Sequence, residues 1–392
     1  MDATITVIAA RKRLNMSVTA PVCIPDTSLR KGRRRVLALP IACLGLLALD
    51  GLLFRTPFYP SILEPDSSTG VFELILSRER QAQTQNGDNM VVTLGDSRFA
   101  YSPRLANQLT AETGYVFRHA GVAGSDVRAW YYMLRDLDPT ARRYRAIVFG
   151  VTDYDDEDEY FTPDDDIRSL HYVIARLRYS DVLDFALSFH SGSLQWEALR
   201  GASLKGIVYQ NDILTFLTDP AKRIRDAEAA HRHYEEWTYG FVETARTMAG
   251  LQIDWSKWKA TFPPGFDQDQ QDTVKRNLMS PPAPQTGRLA AFRRKWYGRI
   301  LDRYRGSRTK IVFVRLARAP IPRPDGLVRI KSSSIRDFAS RPNVMLCDEH
   351  AFDSLEHPEL FRDALHLNRA GIARFSPMLA ENIGRMLGKA DR

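Results

Sequence analysis

The sequence predicts an α/β protein with a parallel β-sheet held between two layers of helices. Three observations carry that expectation. Short runs rich in β-branched and aromatic residues at 90–95, 115–119, 145–151, 310–316 and 343–347 have the length and composition of buried strands. Stretches with helical spacing separate them, and strands that alternate with helices pair in parallel. The chain has 392 residues, 44% of them hydrophobic and 26% charged, which is enough to bury a large core.

Charge is unevenly placed along the chain. Residues 1–35 hold eight Lys/Arg against two acids, a net +6, so the formal +8 of the whole chain leaves +2 for everything after them. The basic balance therefore marks the tail and not a nucleic-acid face on the main domain. Directly after it stands "VLALPIACLGLLALDGLLF", residues 36–54, nineteen residues with one charge, Asp50. About 20 apolar residues span a bilayer, so a transmembrane anchor is expected there. The basic run before it places the N-terminus in the cytoplasm by the positive-inside rule. No small-residue cleavage pattern follows. The anchor is thus expected to stay uncleaved, with residues 55–392 exported and held at the cytoplasmic (inner) membrane. Cys23, Cys43 and Cys347 then fall in cytoplasm, membrane and exported part, so neither an intrachain disulfide nor a metal cluster is expected.

Residues 55–89 read as a Pro/Ser/Gly-rich connector followed by a helix, "VFELILSRERQAQ", and the domain proper runs over 90–392. Further helices are expected near 103–112, 126–138, 287–305 and 368–387. Between the third and fourth strands lies an aromatic-rich segment with helical patterning, about residues 163–285. It reads as an insertion over the C-terminal edge of the sheet, a cap or substrate-binding subdomain.

The first strand ends in "VVTLGDSRF". Gly95 permits a sharp turn, Asp96 can bond local backbone, and Ser97 is delivered to the edge where open α/β sheets bind ligands. Taken alone, such a turn is as readily a capping motif. Near the C-terminus, "FRDALHLNRAG" places Asp363 three residues before His366, just ahead of the last helix. A serine is a weak nucleophile until a base takes its proton, and histidine suits that task near neutral pH. A carboxylate must hold the imidazole tautomer and stabilise the imidazolium. Ser97, His366 and Asp363 fill these three roles.

GDS after the first strand and D-x-x-H before the last helix resemble the SGNH/GDSL hydrolase superfamily. The resemblance covers about residues 90–155 and 310–388. It implies a three-layer, flavodoxin-like α/β/α domain and an oxyanion hole built from the Ser97 amide, Gly124 of "HAGVAGSD" and position 152 of "GVTD". Thr152 stands where the family has Asn. A hydroxyl on a short side chain replaces a rigid amide donor there, and losing one oxyanion donor costs about 3 to 4 kcal/mol.

The anchor narrows the likeness to DltD-like proteins and the AlgJ/AlgX type. It implies acyl transfer to an envelope polysaccharide or related polymer through an acyl-serine, beside a membrane-bound O-acyltransferase partner, with no cofactor. The alternatives are a membrane-anchored esterase that deacylates a glycan or lipid, and a non-catalytic polymer-binding assembly factor. Arg315 and Arg318, after the fourth strand, are expected to reach the catalytic mouth and contact substrate. The nine acids within 153–166 are expected to form a solvated loop that disfavours anionic substrates. His350 and His357 are weaker candidates for the base than His366.

Overall fold

The computed structural model describes residues 27–83, 89–99, 103–156, 166–233, 244–280, 287–324 and 332–388. It divides into residues 1–49 and 50–392. In the first unit a helix begins at Thr27 and runs on to Phe54. Its described side chains start at position 40, so part of the expected span 36–54 lies outside the described residues. Among those that are described, no helix is long and apolar enough to cross a membrane. The apolar side chains from Ile41 to Leu49 are exposed, Ile41 and Leu44 at 66%.

In residues 50–392 the centre is a five-stranded parallel sheet. Its strands are β1 (Met90–Leu94), β2 (Val116–His119), β3 (Ala146–Val151), β6 (Lys310–Arg315) and β7 (Val344–Leu346). A separate antiparallel hairpin is formed by β4 (Gln252–Asp254) and β5 (Lys259–Thr261). The sheet order is β2-β1-β3-β6-β7. The chain leaves β1 in one direction for β2, then reverses past β1 to β3. Crossovers that diverge on either side of one strand pair open a crevice at its C-terminal end, and ligands bind there.

Each central strand is buried on both faces, as parallel strands under two helical layers must be. Side chains alternate, so register decides which core each one joins. Val92, Ile147 and Ile311 lie in one row across the sheet. They pack with Phe72 and Ile75 of helix Ser68–Gln83, Met133 of helix Val127–Leu137, and Trp296 and Ile300 of helix Arg288–Arg303. Val148 and Val312 point the other way, to Leu109 of helix Pro103–Thr113 and Phe375, Leu379 and Ile383 of helix Arg369–Leu387. The second helix layer is thus made by the first crossover and the C-terminus together.

The segment between β3 and β6 does not form a separate cap among the described residues. Its first part, from Arg168 to Arg232, packs Leu170, Val173, Phe185 and Phe189 into the core on the Val92 side. Its second part, with the β4–β5 hairpin and helix Gln268–Leu278, packs Met248, Leu251 and Val274 into the opposite core. Among the described residues its apolar side chains join these two cores, where a cap or substrate-binding subdomain was the expectation.

Candidate active site

The turn after β1 is fixed by its own residues. Asp96 accepts the Arg98 amide at 2.8 Å, and the Phe99 amide bonds the Asp96 carbonyl at 3.0 Å, which closes a tight turn with Ser97 at its outer corner. The Arg98 guanidinium forks onto the Asp96 carboxylate at 3.1 and 2.7 Å. Burial alone would raise the Asp96 pKa, but the Arg98 charge and hydrogen bonds outweigh it and hold it below the usual carboxylate range.

Phe99 is fully buried beneath this turn. It occupies space that two glycines leave open. A Cβ on Gly95 would stand 2.5 Å from the Phe99 Cβ, and a Cβ on Gly150 would run into the ring. The Ser97 turn therefore rests on an aromatic side chain seated between the ends of β1 and β3.

The opposing side comes from the C-terminal loop. An antiparallel bridge between Phe361 and Leu367 closes a tight loop, with the Arg362 amide on the His366 carbonyl at 2.9 Å. Asn368 caps the following helix by accepting the Gly371 amide at 2.9 Å. Asp363 and His366 sit in the loop so closed. Asp363 Oδ1 accepts the amides of Leu365 and His366, each at 2.9 Å, and the carboxylate meets His366 Nδ1 at 2.9 and 3.0 Å. Burial opposes ionisation of Asp363, but these bonds to His366 and backbone bring its pKa below the ordinary value. His366 Nε2 lies 2.8 Å from Ser97 Oγ. The three side chains expected to act together are thus in one continuous hydrogen-bonded chain.

Beside Ser97 is a cleft of about 360 Å³. Ser97, Gly124 and Thr152 line it together, with Trp130 and Phe292 as apolar walls. Gly124 has φ +72°, and a Cβ there would press on the Tyr172 hydroxyl at 2.7 Å, so glycine is required on both counts. Tyr172 also bonds the Ala123 carbonyl at 2.6 Å, which fixes the loop that carries Gly124. Among the described residues, the amides of Ser97 and Gly124 and the Thr152 hydroxyl make no hydrogen bond, so three donors remain unspent around one cleft.

Arg315 and Arg318 do not line the cleft. Arg315 is 3% exposed and pairs with Asp353 and the Glu349 carbonyl. Arg318 forks onto Glu356 at 3.1 and 3.2 Å. Both hold the 349–356 segment that leads into the Asp363 loop, and the expectation of substrate contact is corrected to this supporting place. Arg98, Arg168 and Arg293 line the cleft instead.

The start of the acidic segment is also not free in solvent. Arg293 bonds the Asp153 carbonyl at 3.1 Å and pairs with Asp156 at 3.3 Å. Arg336 meets Asp155 at 2.6 Å, and Ser334 donates to Asp156 at 2.6 Å. The acids at 157–159 and 164–165 lie outside the described residues. His350 is exposed and paired with Asp353 at 2.8 Å, and it does not line the Ser97 cleft. No potential metal-binding cluster of His, Cys, Asp or Glu occurs among the described residues.

Arg168, Arg293 and Phe292 were not legible as cleft residues, since each is an ordinary helix residue in the sequence. Helix Arg288–Arg303 brings Phe292 and Arg293 to the cleft by packing on helix Val127–Leu137, and helix Arg168–Val173 brings Arg168 by packing on the same helix. Comparison with protein-family models finds no match, and none of the curated proteins compared is recognisably similar.

Proposed function

We propose that this protein is an exported, membrane-anchored serine acyltransferase that acylates an envelope polysaccharide or related polymer through an acyl-serine. The observation that carries the acyl chemistry is the unbroken chain from Ser97 Oγ through His366 to Asp363, at 2.8 and 2.9 Å. The choice of a polymer acceptor, and of a membrane-bound O-acyltransferase as donor partner, rests on the SGNH resemblance together with the apolar N-terminal helix.

In the first half-reaction Ser97 Oγ attacks the acyl carbonyl as its proton passes to His366 Nε2. Asp363 keeps the other imidazole proton on Nδ1 and offsets the charge of the imidazolium. The oxyanion forms against the amides of Ser97 and Gly124 and the Thr152 hydroxyl. Its collapse breaks the bond to the donor oxygen, which leaves with the proton from Nε2. In the second half-reaction an acceptor hydroxyl gives its proton to Nε2 and attacks the acyl-serine. The new ester forms and Ser97 recovers its proton.

Hydrolysis follows the same path with water as acceptor, and makes the protein an esterase. The two readings separate in one assay. With an activated acyl ester, the acyl group is followed to water and to an oligosaccharide acceptor. Transfer predominates under the proposed function. Release to water alone, unchanged by acceptor, favours the esterase.

A further inference from the structure

Helix Gln210–Thr218 turns one acid to the protein and two leucines to the outside. Asp212 accepts the Tyr59 hydroxyl at 2.5 Å, the Glu64 amide at 3.0 Å and Arg223 at 2.8 Å, and Thr215 accepts Arg223 at 2.6 Å. Ile213 packs against the core, while Leu214 at 57% and Leu217 at 66% exposed look outward, and none of its nine residues is buried. On a water-facing amphipathic helix such leucines turn to the core. A second outward stripe, Tyr179, Leu183 and Leu187, runs at four-residue spacing through the turn Tyr179–Asp181 and helix Val182–Ala186.

Both stripes adjoin the end of the N-terminal helix. Phe54 packs its ring against Tyr59 and Tyr209, with centroids 4.8 and 5.3 Å apart, and Tyr209 directly precedes helix Gln210–Thr218. Asp50 accepts the Gly206 amide at 2.8 Å. Arg55 bonds the carbonyls of Leu177 and Ala202 at 3.1 and 2.7 Å and lies over the Tyr179 ring at 3.6 Å. The helix end is therefore fastened to both apolar stripes. Alongside is a cleft lined by five arginines and the buried Lys205, where Arg135 and Arg176 pair with Asp181 and Glu73 while Arg80 and Arg178 reach outward at 42% and 66% exposure.

We propose that this face is seated in the lipid bilayer, with Leu214, Leu217, Leu183 and Leu187 in the acyl-chain boundary and the basic cleft at the level of anionic headgroups. An apolar face beside a cationic rim is the chemistry of an interfacial, in-plane element, and the two attractions add. The inference rests on the membrane anchor of the proposed function and goes beyond it.

The test uses the full-length chain in phosphatidylethanolamine/phosphatidylglycerol vesicles with no other protein. In a Cys23→Ser, Cys43→Ser background, Leu217→Cys and Leu187→Cys each carry an environment-sensitive fluorophore. Both positions are exposed, so labelling does not disturb packing, and the native Cys347 is buried. Lys257→Cys, on the exposed turn of the β4–β5 hairpin, is the reference. At positions 217 and 187 the emission is expected to shift to the blue, iodide quenching to be lost, and acyl-chain-brominated lipid to quench. Position 257 is expected to stay open to iodide. Vesicle-bound chain whose 217 label is as open to iodide as the 257 label overturns the seated face and leaves the anchor standing. A label shielded from iodide but untouched by brominated lipid places protein on the face and also overturns it. Chain that does not remain with the vesicles refutes the anchor and this inference together.

Discussion

Ser97 Oγ and His366 Nε2 stand 2.8 Å apart across 269 positions of sequence. Each is placed by a loop that closes on itself: the Asp96 turn on one side and the Phe361–Leu367 bridge on the other. Under the proposed function the two groups, each held by its own closed loop, act as a unit. Ser97→Ala and His366→Ala are each expected to abolish acyl transfer, and the double variant to be no worse than either. Turnover numbers with an activated ester check this. Additive losses in folded variants would show independent roles.

Thr152 supplies the unusual donor of the proposed oxyanion site. If its hydroxyl substitutes for a stronger amide, Thr152→Asn is expected to raise hydrolysis of a small activated ester by about tenfold to a hundredfold at most. The acceptor-directed rate should change less, since acceptor positioning contributes separately to transfer. Steady-state rates with and without an oligosaccharide acceptor measure both. A fall in hydrolysis in well-folded protein removes Thr152 from that role.

Phe99 links stability to the turn that carries Ser97. In Gly150→Ala the new methyl group meets the buried Phe99 ring, so the turn below Ser97 must move. A stability loss of about 1 to 3 kcal/mol is expected, as for other over-packed cores. Adding Phe99→Leu should recover part of it by relieving the clash. Urea midpoints of the two variants report the effect, and a neutral Gly150→Ala would show that the ring has room to shift.

Lys205 is almost fully buried, with Nζ on the Ala175 carbonyl at 2.8 Å. Burial first, and the Arg55 charge second, push its pKa down from 10.5 to about 7. Between those values the unfolded chain holds a proton that the folded chain has released. Unfolding then takes up a proton, and stability from this residue rises with pH across that window. The stability difference between wild type and Lys205→Met should therefore move in favour of wild type from pH 7 to pH 9.5 or so. Denaturation midpoints at stepped pH read it, and a difference that stays flat would mean Lys205 keeps its charge when folded.

Much of the fold was legible because its signals are local. The strand run at 145–151 is observed as Ala146–Val151, and the helix expected at 368–387 as Arg369–Leu387. Ser97, Asp363 and His366 could be singled out because each lies at a junction between a regular element and a turn. Arg315 could not be placed. It ends β6, where an arginine suggests exposure, yet Asp353 and the Glu349 carbonyl close over it from a loop far along the chain. The packing of the segment between β3 and β6 was hidden for a related reason. Its helices carry apolar faces that suit a subdomain, and nothing in their spacing reveals that the two halves serve opposite cores.

The central claim is that Ser97 is a nucleophile activated by His366. It is tested most directly by reacting the purified full-length protein with a serine-directed fluorophosphonate and locating the adduct by peptide mass spectrometry. The account predicts one covalent phosphonate per chain, on Ser97, that forms rapidly in wild type, slowly or not at all in His366→Ala, and never in Ser97→Ala. A folded wild-type protein that stays unlabelled at Ser97, or that labels there equally well without His366, would contradict it.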